Sequence, residues 1–350
     1  MLEHVAYLNA GTFGPLPRRT TDAMAERQRR NLAEGRSGAA YFEEVIERRA
    51  RLRGRLAALI GADASTIALT TSTTEGCNAV VAGLRLRPGD EVVTTDVEHP
   101  GLLGALRAWA LDVKMARVGG EPASRALEVL RAAVTPRTRL IALSHVAWTT
   151  GAVLPVRELV GSGIPVLVDG AQAAGAIPVD VEALACDFYT VSGQKWLLGP
   201  DATGGLYIHR DRIEELELSF PSYLSWKDVR ALEPWPDARR FESVFTPAAS
   251  VDGLLAALGF AQEVGEGRFD RARGMAETCR TLVAGRADVV TEPGQATLVS
   301  FRPRDAAEDV VRRLGERGVV ARDLPGLGWV RASCGFWTSD EDLERLVEAL

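Results

Sequence analysis

At 350 residues the chain is too long for one compact core, so a large domain with a smaller companion is expected. Its 41 Lys and Arg against 47 Asp and Glu leave a net charge of −6, with 46% hydrophobic residues. That is the composition of a soluble globular protein, with no electrostatic case for nucleic acid or an anionic membrane as partner. The cysteines Cys77, Cys186, Cys279 and Cys334 form no C-x-x-C pair and suggest neither a zinc cage nor a disulfide framework. No apolar run approaches the roughly 18 residues of a membrane span, and no signal-peptide pattern is present, so a cytoplasmic location is expected.

Residues 41–60 place Val45, Ile46, Leu52, Leu56, Leu59 and Ile60 at helical spacing, and Gly61 closes the segment. Short β-rich runs then alternate with longer amphipathic stretches. The runs are TIALTTS (66–72), EVVTTD (91–96), RLIALSH (139–145), IPVLVDG (164–170), DFYTVSG (187–193) and GGLYIHR (204–210). Several are apolar on both faces, which predicts an open, mostly parallel α/β sheet covered by helices. Residues 220–247 are irregular and rich in Pro and Trp, and a loop of that length suggests a functional role. A helical stretch over 251–286 leads to ATLVSFRP (296–303) and a helix over 305–317. The β-like runs GVVARD and GWVRAS follow, then a final helix opened by Ser339-Asp340-Glu341. The expected organisation is an N-terminal segment (1–15) near the active site, a large α/β domain (16–250) and a small α+β domain (251–350).

Ligands of parallel α/β sheets gather beyond the carboxyl ends of the strands. Polar residues fall there after five consecutive strands: Thr71 to Gly76, Asp96 to Pro100 with His99, Ser144-His145 with Trp148, Asp169 to Gln172, and Ser192 to Lys195. Thr73 and Thr74 open a predicted helix, where hydroxyls and free amides suit a phosphate, or serve as an ordinary cap. No G-x-G-x-x-G or Walker motif is present. Asp169, behind Val166-Leu167-Val168, is either a turn residue or a buried carboxylate that needs a cationic partner. Lys195 stands out in a chain whose cations are mostly Arg. Held against apolar walls, such an amine can form a Schiff base. A phosphate cradle, a buried acid and an activated lysine are together what pyridoxal 5′-phosphate (PLP) requires.

The chain resembles the class V aminotransferases, fold-type I PLP enzymes that include cysteine desulfurases, isopenicillin N epimerases and cyst(e)ine C–S lyases. The resemblance is carried by YLNAGTFGPLP (7–17), TTEGCN (73–78), VEHPG (97–101), SHVAWTTGAVLP (144–155), VDGAQAAGAIPVDV (168–181), SGQKWLLGPDATGGLYI (192–208), RFESVFTP (240–247) and VRAS (330–333), in family order over nearly the whole length. It implies that Lys195 forms the imine with PLP, that Asp169 pairs with the pyridine nitrogen, and that Gln172 donates to the phenolic oxygen. It places His99 over the ring, and Thr74, Ser192 and possible partner Thr73 on the phosphate. Gln194 stands where many relatives have a histidine that also touches the phosphate. Thr246 matches a residue that reaches the partner subunit's phosphate, which implies a homodimer with shared active sites. Arg331 matches the arginine that grips the substrate α-carboxylate.

The resemblance implies an L-amino acid substrate and leaves the reaction open. Desulfurases carry a nucleophilic cysteine shortly before the carboxylate-binding arginine, and residues 315–329 contain none. Arg322, nine residues before Arg331, is either a surface partner of Asp323 or a second carboxylate ligand. Phe13, Trp148 and Trp196 are expected to exclude water. β-Elimination from cysteine, cystine or an S-substituted cysteine is the leading expectation. Transamination is the alternative, with epimerisation, for which His145 is a weak second base, and a non-catalytic sensor behind it.

Overall fold

In the computed structural model, which describes residues 4–350, the six β-rich runs and one further strand build a seven-stranded sheet. In chain order its strands are β1 (Ile67–Thr70), β2 (Glu91–Thr95), β3 (Asp112–Ala116), β4 (Thr138–Ser144), β5 (Val166–Asp169), β6 (Phe188–Ser192) and β7 (Gly204–Ile208). They lie in the order β1-β7-β6-β5-β4-β2-β3. Only β7 runs antiparallel to its neighbours.

Both faces of this sheet are covered, which is why its central strands read as unbroken apolar runs. Ile141, Leu143, Val166, Val168, Tyr189 and Val191 point to one face, where Leu52 and Leu56 of helix Ala39–Leu59 pack. Leu140, Ala142, Leu167, Phe188 and Leu206 point to the other, against Cys77, Val80 and Val81 of helix Thr73–Gly83. The sequence pattern missed β3, an edge strand whose first four residues are only half-buried. It also missed helix Arg18–Glu34, because that helix buries Thr20 and Arg27 rather than an apolar stripe. Arg27 is compensated by Glu44 at 2.9 Å and Asp252 at 2.7 Å, so an ion-pair network holds this helix against the large domain.

The helical stretch predicted over 251–286 is two helices, Ala248–Val264 and Gly267–Ala284, parted at Gly265 with φ +81°. The first sends Val251, Leu254, Ala257 and Leu258 into the core of the large sheet. The second sends Ala276, Cys279 and Val283 into a separate core. That second core lies under a four-stranded antiparallel sheet of β8 (Asp288–Val289), β9 (Leu298–Arg302), β10 (Arg322–Leu324) and β11 (Trp329–Ser333), ordered β8-β9-β11-β10. Val299, Phe301, Val330 and Ala332 face the core. Strand alternation therefore turns Ser300, Arg331 and Arg322, aligned across β9, β11 and β10, the other way.

The N-terminal segment ties the two sheets together. Ala6–Tyr7 pairs in parallel with Val319–Val320, and Asn9 bridges Ser333. A few residues on, the Gly14 amide donates to the Gln194 carbonyl at 2.7 Å. A side-chain Cβ at Gly14 would lie 2.0 Å from the Lys195 carbonyl oxygen, so only glycine lets the chain pass there. Residues 220–247 are largely irregular, with one short antiparallel pair, Trp226–Asp228 with Glu233–Pro234. Buried Glu242 anchors the segment by accepting from Arg49 at 2.5 Å and Arg53 at 2.8 Å. No helix among the described residues is long and apolar enough to cross a membrane.

Candidate active site

The carboxyl ends of β4, β5 and β6 lie side by side, with Ser144 opposite Asp169 and Asp169 opposite Thr190. Asp169 shares a strand face with Leu167, so its carboxylate looks toward helix Thr73–Gly83. It is 4% exposed and accepts one hydrogen bond, from the Ala171 amide at 2.9 Å. Lys195 follows β6 and is half-buried. Burial pushes its amine down to about 8; the Asp169 charge opposes that shift, and the Arg331 and Arg322 charges add to it.

The helix that closes this floor is capped by Ser72, whose hydroxyl accepts from the Glu75 amide at 3.1 Å. Because Ser72 takes the capping role, the hydroxyls of Thr73 and Thr74 are not spent on it. Thr74 Oγ1 lies 2.5 Å from where a Cβ on Gly101 would stand, so the start of helix Pro100–Ala108 closes directly over it. His99 caps that second helix. Its Nδ1 accepts from the Gly101 amide at 3.1 Å, which leaves the proton on Nε2. Burial, then the Lys195 charge, lowers the His99 pKa and favours the neutral ring. Ser192 Oγ donates to Gln194 Oε1 at 2.7 Å. The Gln172 amide is oriented from both ends: it donates to the Gly11 carbonyl at 2.8 Å and accepts from Trp196 Nε1 at 2.9 Å.

The opposite wall comes from the small domain. Arg331 is 1% exposed and donates to the Trp148 carbonyl at 2.9 Å and to Thr12 Oγ1 at 3.4 Å. Its Nε and the indole Nε1 of Trp148 are buried donors without a partner among the described residues. Unpartnered buried donors of this kind call for an acceptor from outside the chain. Trp148 also meets His99 edge-on, with ring centroids 5.3 Å apart. Burial, reinforced by Arg322, pushes the Arg331 guanidinium down to about 9. Arg322 bonds the backbone of Asp323 at 3.1 Å, not its carboxylate, and reaches Thr12 Oγ1 at 3.1 Å. No carboxylate among the described residues pairs with either arginine.

Other expected residues fall elsewhere. Phe13 is 49% exposed, and Trp196, apart from its bond to Gln172, packs with Ala10, Val146 and Leu298 where the two domains meet. Thr246 is buried, and none of its hydrogen bonds among the described residues reaches this cluster. Nearby Ser243 does bond Glu75 of the capped helix. His145 shares its strand face with Ile141 and Leu143, opposite Asp169, and bonds the Tyr189 hydroxyl at 3.0 Å. All four cysteines are 0% exposed, and none lies between Arg322 and Arg331.

Two residues escaped the sequence reading. Thr12 lies between the arginines. Glu98 is a buried carboxyl that accepts from the Ser144 amide at 2.9 Å, the Ser144 hydroxyl at 2.5 Å and the Thr95 hydroxyl at 2.5 Å. Burial pushes it up to about 7. Its only signal was its place before His99 in VEHPG, and an acid at a strand end is otherwise unremarkable.

The donor set fits PLP: a buried acid for the ring nitrogen, a depressed lysine for the carbonyl carbon, and a capped helix N-terminus with spare hydroxyls for the phosphate. A sequence-family model described as Aminotransferase class-V matches residues 6–346. Isopenicillin N epimerase of Streptomyces clavuligerus is 33% identical, covering 99% of this chain and 94% of that protein. A cysteine desulfurase of Enterobacter sp. (strain 638) is 31% identical, over 99% and 92%. Among solved structures, the cystine C–S lyase C-DES in complex with its reaction product cysteine persulfide superposes with a TM-score of 0.93 at 31% identity, over 99% and 97% of the two chains. A lysine-to-alanine variant of that lyase, with glycine covalently linked to its PLP cofactor, gives 0.92.

Proposed function

The chain belongs to the class-V aminotransferase family and is a PLP-dependent enzyme, and within that family we propose that it catalyses β-elimination on cystine or an S-substituted cysteine. The observation that carries this reading is the pair of guanidinium groups, Arg331 and Arg322, facing the cleft in register with no carboxylate bonded to either among the described residues. Cystine offers them two carboxylates. The cysteines agree: Cys334 is buried, and its hydrogen bond to Cys279 together with burial pushes its thiol well up, so no thiolate stands ready to take sulfur.

Asp169 would meet the cofactor's ring nitrogen, Gln172 its phenolic oxygen, His99 its face, and Thr73, Thr74, Ser192 and Gln194 its phosphate. Bound PLP supplies the electron sink for the pair left on the substrate's α-carbon. This chain's side chains do the rest. Arg331 Nε and Trp148 Nε1 take the α-carboxylate, which satisfies both unpartnered donors. Arg322 takes the second carboxylate. Lys195 Nζ, with its pKa depressed by burial, removes the α-proton. The sulfur departs with the C–S bonding electrons, and hydrolysis of the remaining fragment gives pyruvate and ammonia.

The enzyme works as a homodimer in this reading. Exposed Phe42, Tyr223 and Phe245 form one aromatic patch, with centroids 6.4–6.5 Å from Phe42, beside Thr246. A second copy seated there would bring its phosphate site beside the segment that carries Thr246. Epimerisation needs a second acid–base group, and His145 is on the wrong face of the sheet for it.

The test begins with the absorbance of the purified protein, where an imine band at about 420 nm should vanish in Lys195→Ala. Pyruvate formed from L-cystine without added keto acid supports elimination. A requirement for a keto acid makes the enzyme a transaminase instead.

A further inference from the structure

Thr12 bonds both guanidinium groups. A threonine hydroxyl has one hydrogen and two lone pairs, and here all three are committed. It donates to Asn9 Oδ1 at 2.8 Å and accepts from Arg322 Nη1 at 3.1 Å and Arg331 Nη2 at 3.4 Å. The turn that carries it is itself fixed to the arginine strand: Asn9 bridges Ser333, and the Gly11 amide donates to Ser333 Oγ at 3.1 Å. Gly11 also lets the turn come this close, since a Cβ there would lie 2.7 Å from Arg331 Nη2.

The two arginines depend on Thr12 unequally. Arg331 is buried and held at 2.9 Å by the Trp148 carbonyl. Arg322 is half-buried, and its other hydrogen bond goes to the carbonyl of Asp323. As cross-strand neighbours of like charge the two repel. Without an acceptor between them, Arg322 is the one free to swing out of the cleft.

We propose that Thr12 is a positioning residue that sets substrate specificity: its hydroxyl holds Arg322 beside Arg331, so that the site favours amino acids with a second carboxylate over those with one. This rests on the proposed reading of Arg331 and Arg322 as the two carboxylate ligands. It adds the group that fixes their spacing, and it places the selectivity in the N-terminal turn rather than in the arginine strands alone.

The experiment compares the holoenzyme with Thr12→Val, Thr12→Ala and Thr12→Ser, using L-cystine (two carboxylates) and S-methyl-L-cysteine (one). Removing a hydrogen-bond acceptor from a guanidinium should raise KM for cystine about tenfold in the Val and Ala variants, with KM for S-methylcysteine moving less than about threefold. Thr12→Ser keeps the hydroxyl and should restore the wild-type ratio of the two KM values. An equal rise for both substrates, or no rise for either, overturns the proposal. If the wild type forms no product from either substrate, the proposed function fails separately. Thr12 is then judged by binding of suberate against heptanoate, followed by tryptophan fluorescence. Preference for suberate that is lost in Thr12→Val sustains the role of Thr12, and an unchanged preference refutes it.

Discussion

In the proposed reading the active site has two walls, and they are built differently. The cofactor wall comes from consecutive strand ends of one sheet, so Ser144, Asp169 and Thr190 are in register because their strands are. The substrate wall is gathered from far apart in the chain: Thr12 from the N-terminal turn, Trp148 from a loop of the large domain, and Arg322 and Arg331 from the small sheet. The first wall inherits its precision from a close-packed core, whereas the second is held by a few hydrogen bonds across a domain boundary. It follows that changes in the first should cost chemistry, and changes in the second should cost recognition.

Asp169→Asn should give the largest loss, since a neutral amide cannot keep a ring nitrogen protonated. A fall in kcat of about 10³-fold, with KM little changed, is expected. Arg331→Gln should instead act mainly on KM, lowering kcat/KM about 10²-fold through the lost charge-assisted bonds to carboxylate. Steady-state kinetics on cystine separates the two signatures. If both variants lose kcat alone, the division of labour between the walls is wrong.

A smaller effect concerns reconstitution. Lys195 must be neutral to attack the PLP carbonyl, and its amine sits at about 8. Stopped-flow uptake of PLP by the apoenzyme should therefore quicken as pH rises through about 8. A midpoint near the ordinary lysine value would mean that the crevice does not depress it.

The smallest effect is on stability. Folded Glu98 holds its proton up to about pH 7, against an ordinary value of 4.5. Between those pH values the folded state binds a proton that the unfolded state has released, so stability falls as pH rises through that window. Glu98→Gln removes this dependence. Relative to wild type it should gain on the order of 1–3 kcal/mol between pH 5 and pH 8, read by urea denaturation at each pH. A parallel pH dependence in both proteins would show that Glu98 is ionised throughout.

Much of the cofactor wall was legible in the sequence because burial on both faces writes a strand as an apolar run, and the polar residue after the run marks where the strand leaves the core. Asp169 after Val166-Leu167-Val168 is that pattern, and Lys195 after β6 repeats it. The edge strand β3 and helix Arg18–Glu34 were not legible, one because it is only half covered, the other because its buried face is an arginine paired with acids from two other helices. Ser72 rather than Thr73 or Thr74 proved to be the cap, a choice among adjacent hydroxyls that depends on backbone angles.

The sequence by itself determined most strands of the large sheet, the division into a large and a small sheet, and which polar residues gather at the strand ends. These follow from local periodicity and from what a strand end must expose. Tertiary structure alone decided that Thr12 would stand between two arginines 310 and 319 residues away, and that Arg322 would bond Thr12 rather than the Asp323 carboxylate. Such contacts depend on how two separately packed domains are docked by the N-terminal segment, and nothing in the spacing of residues along the chain encodes that distance.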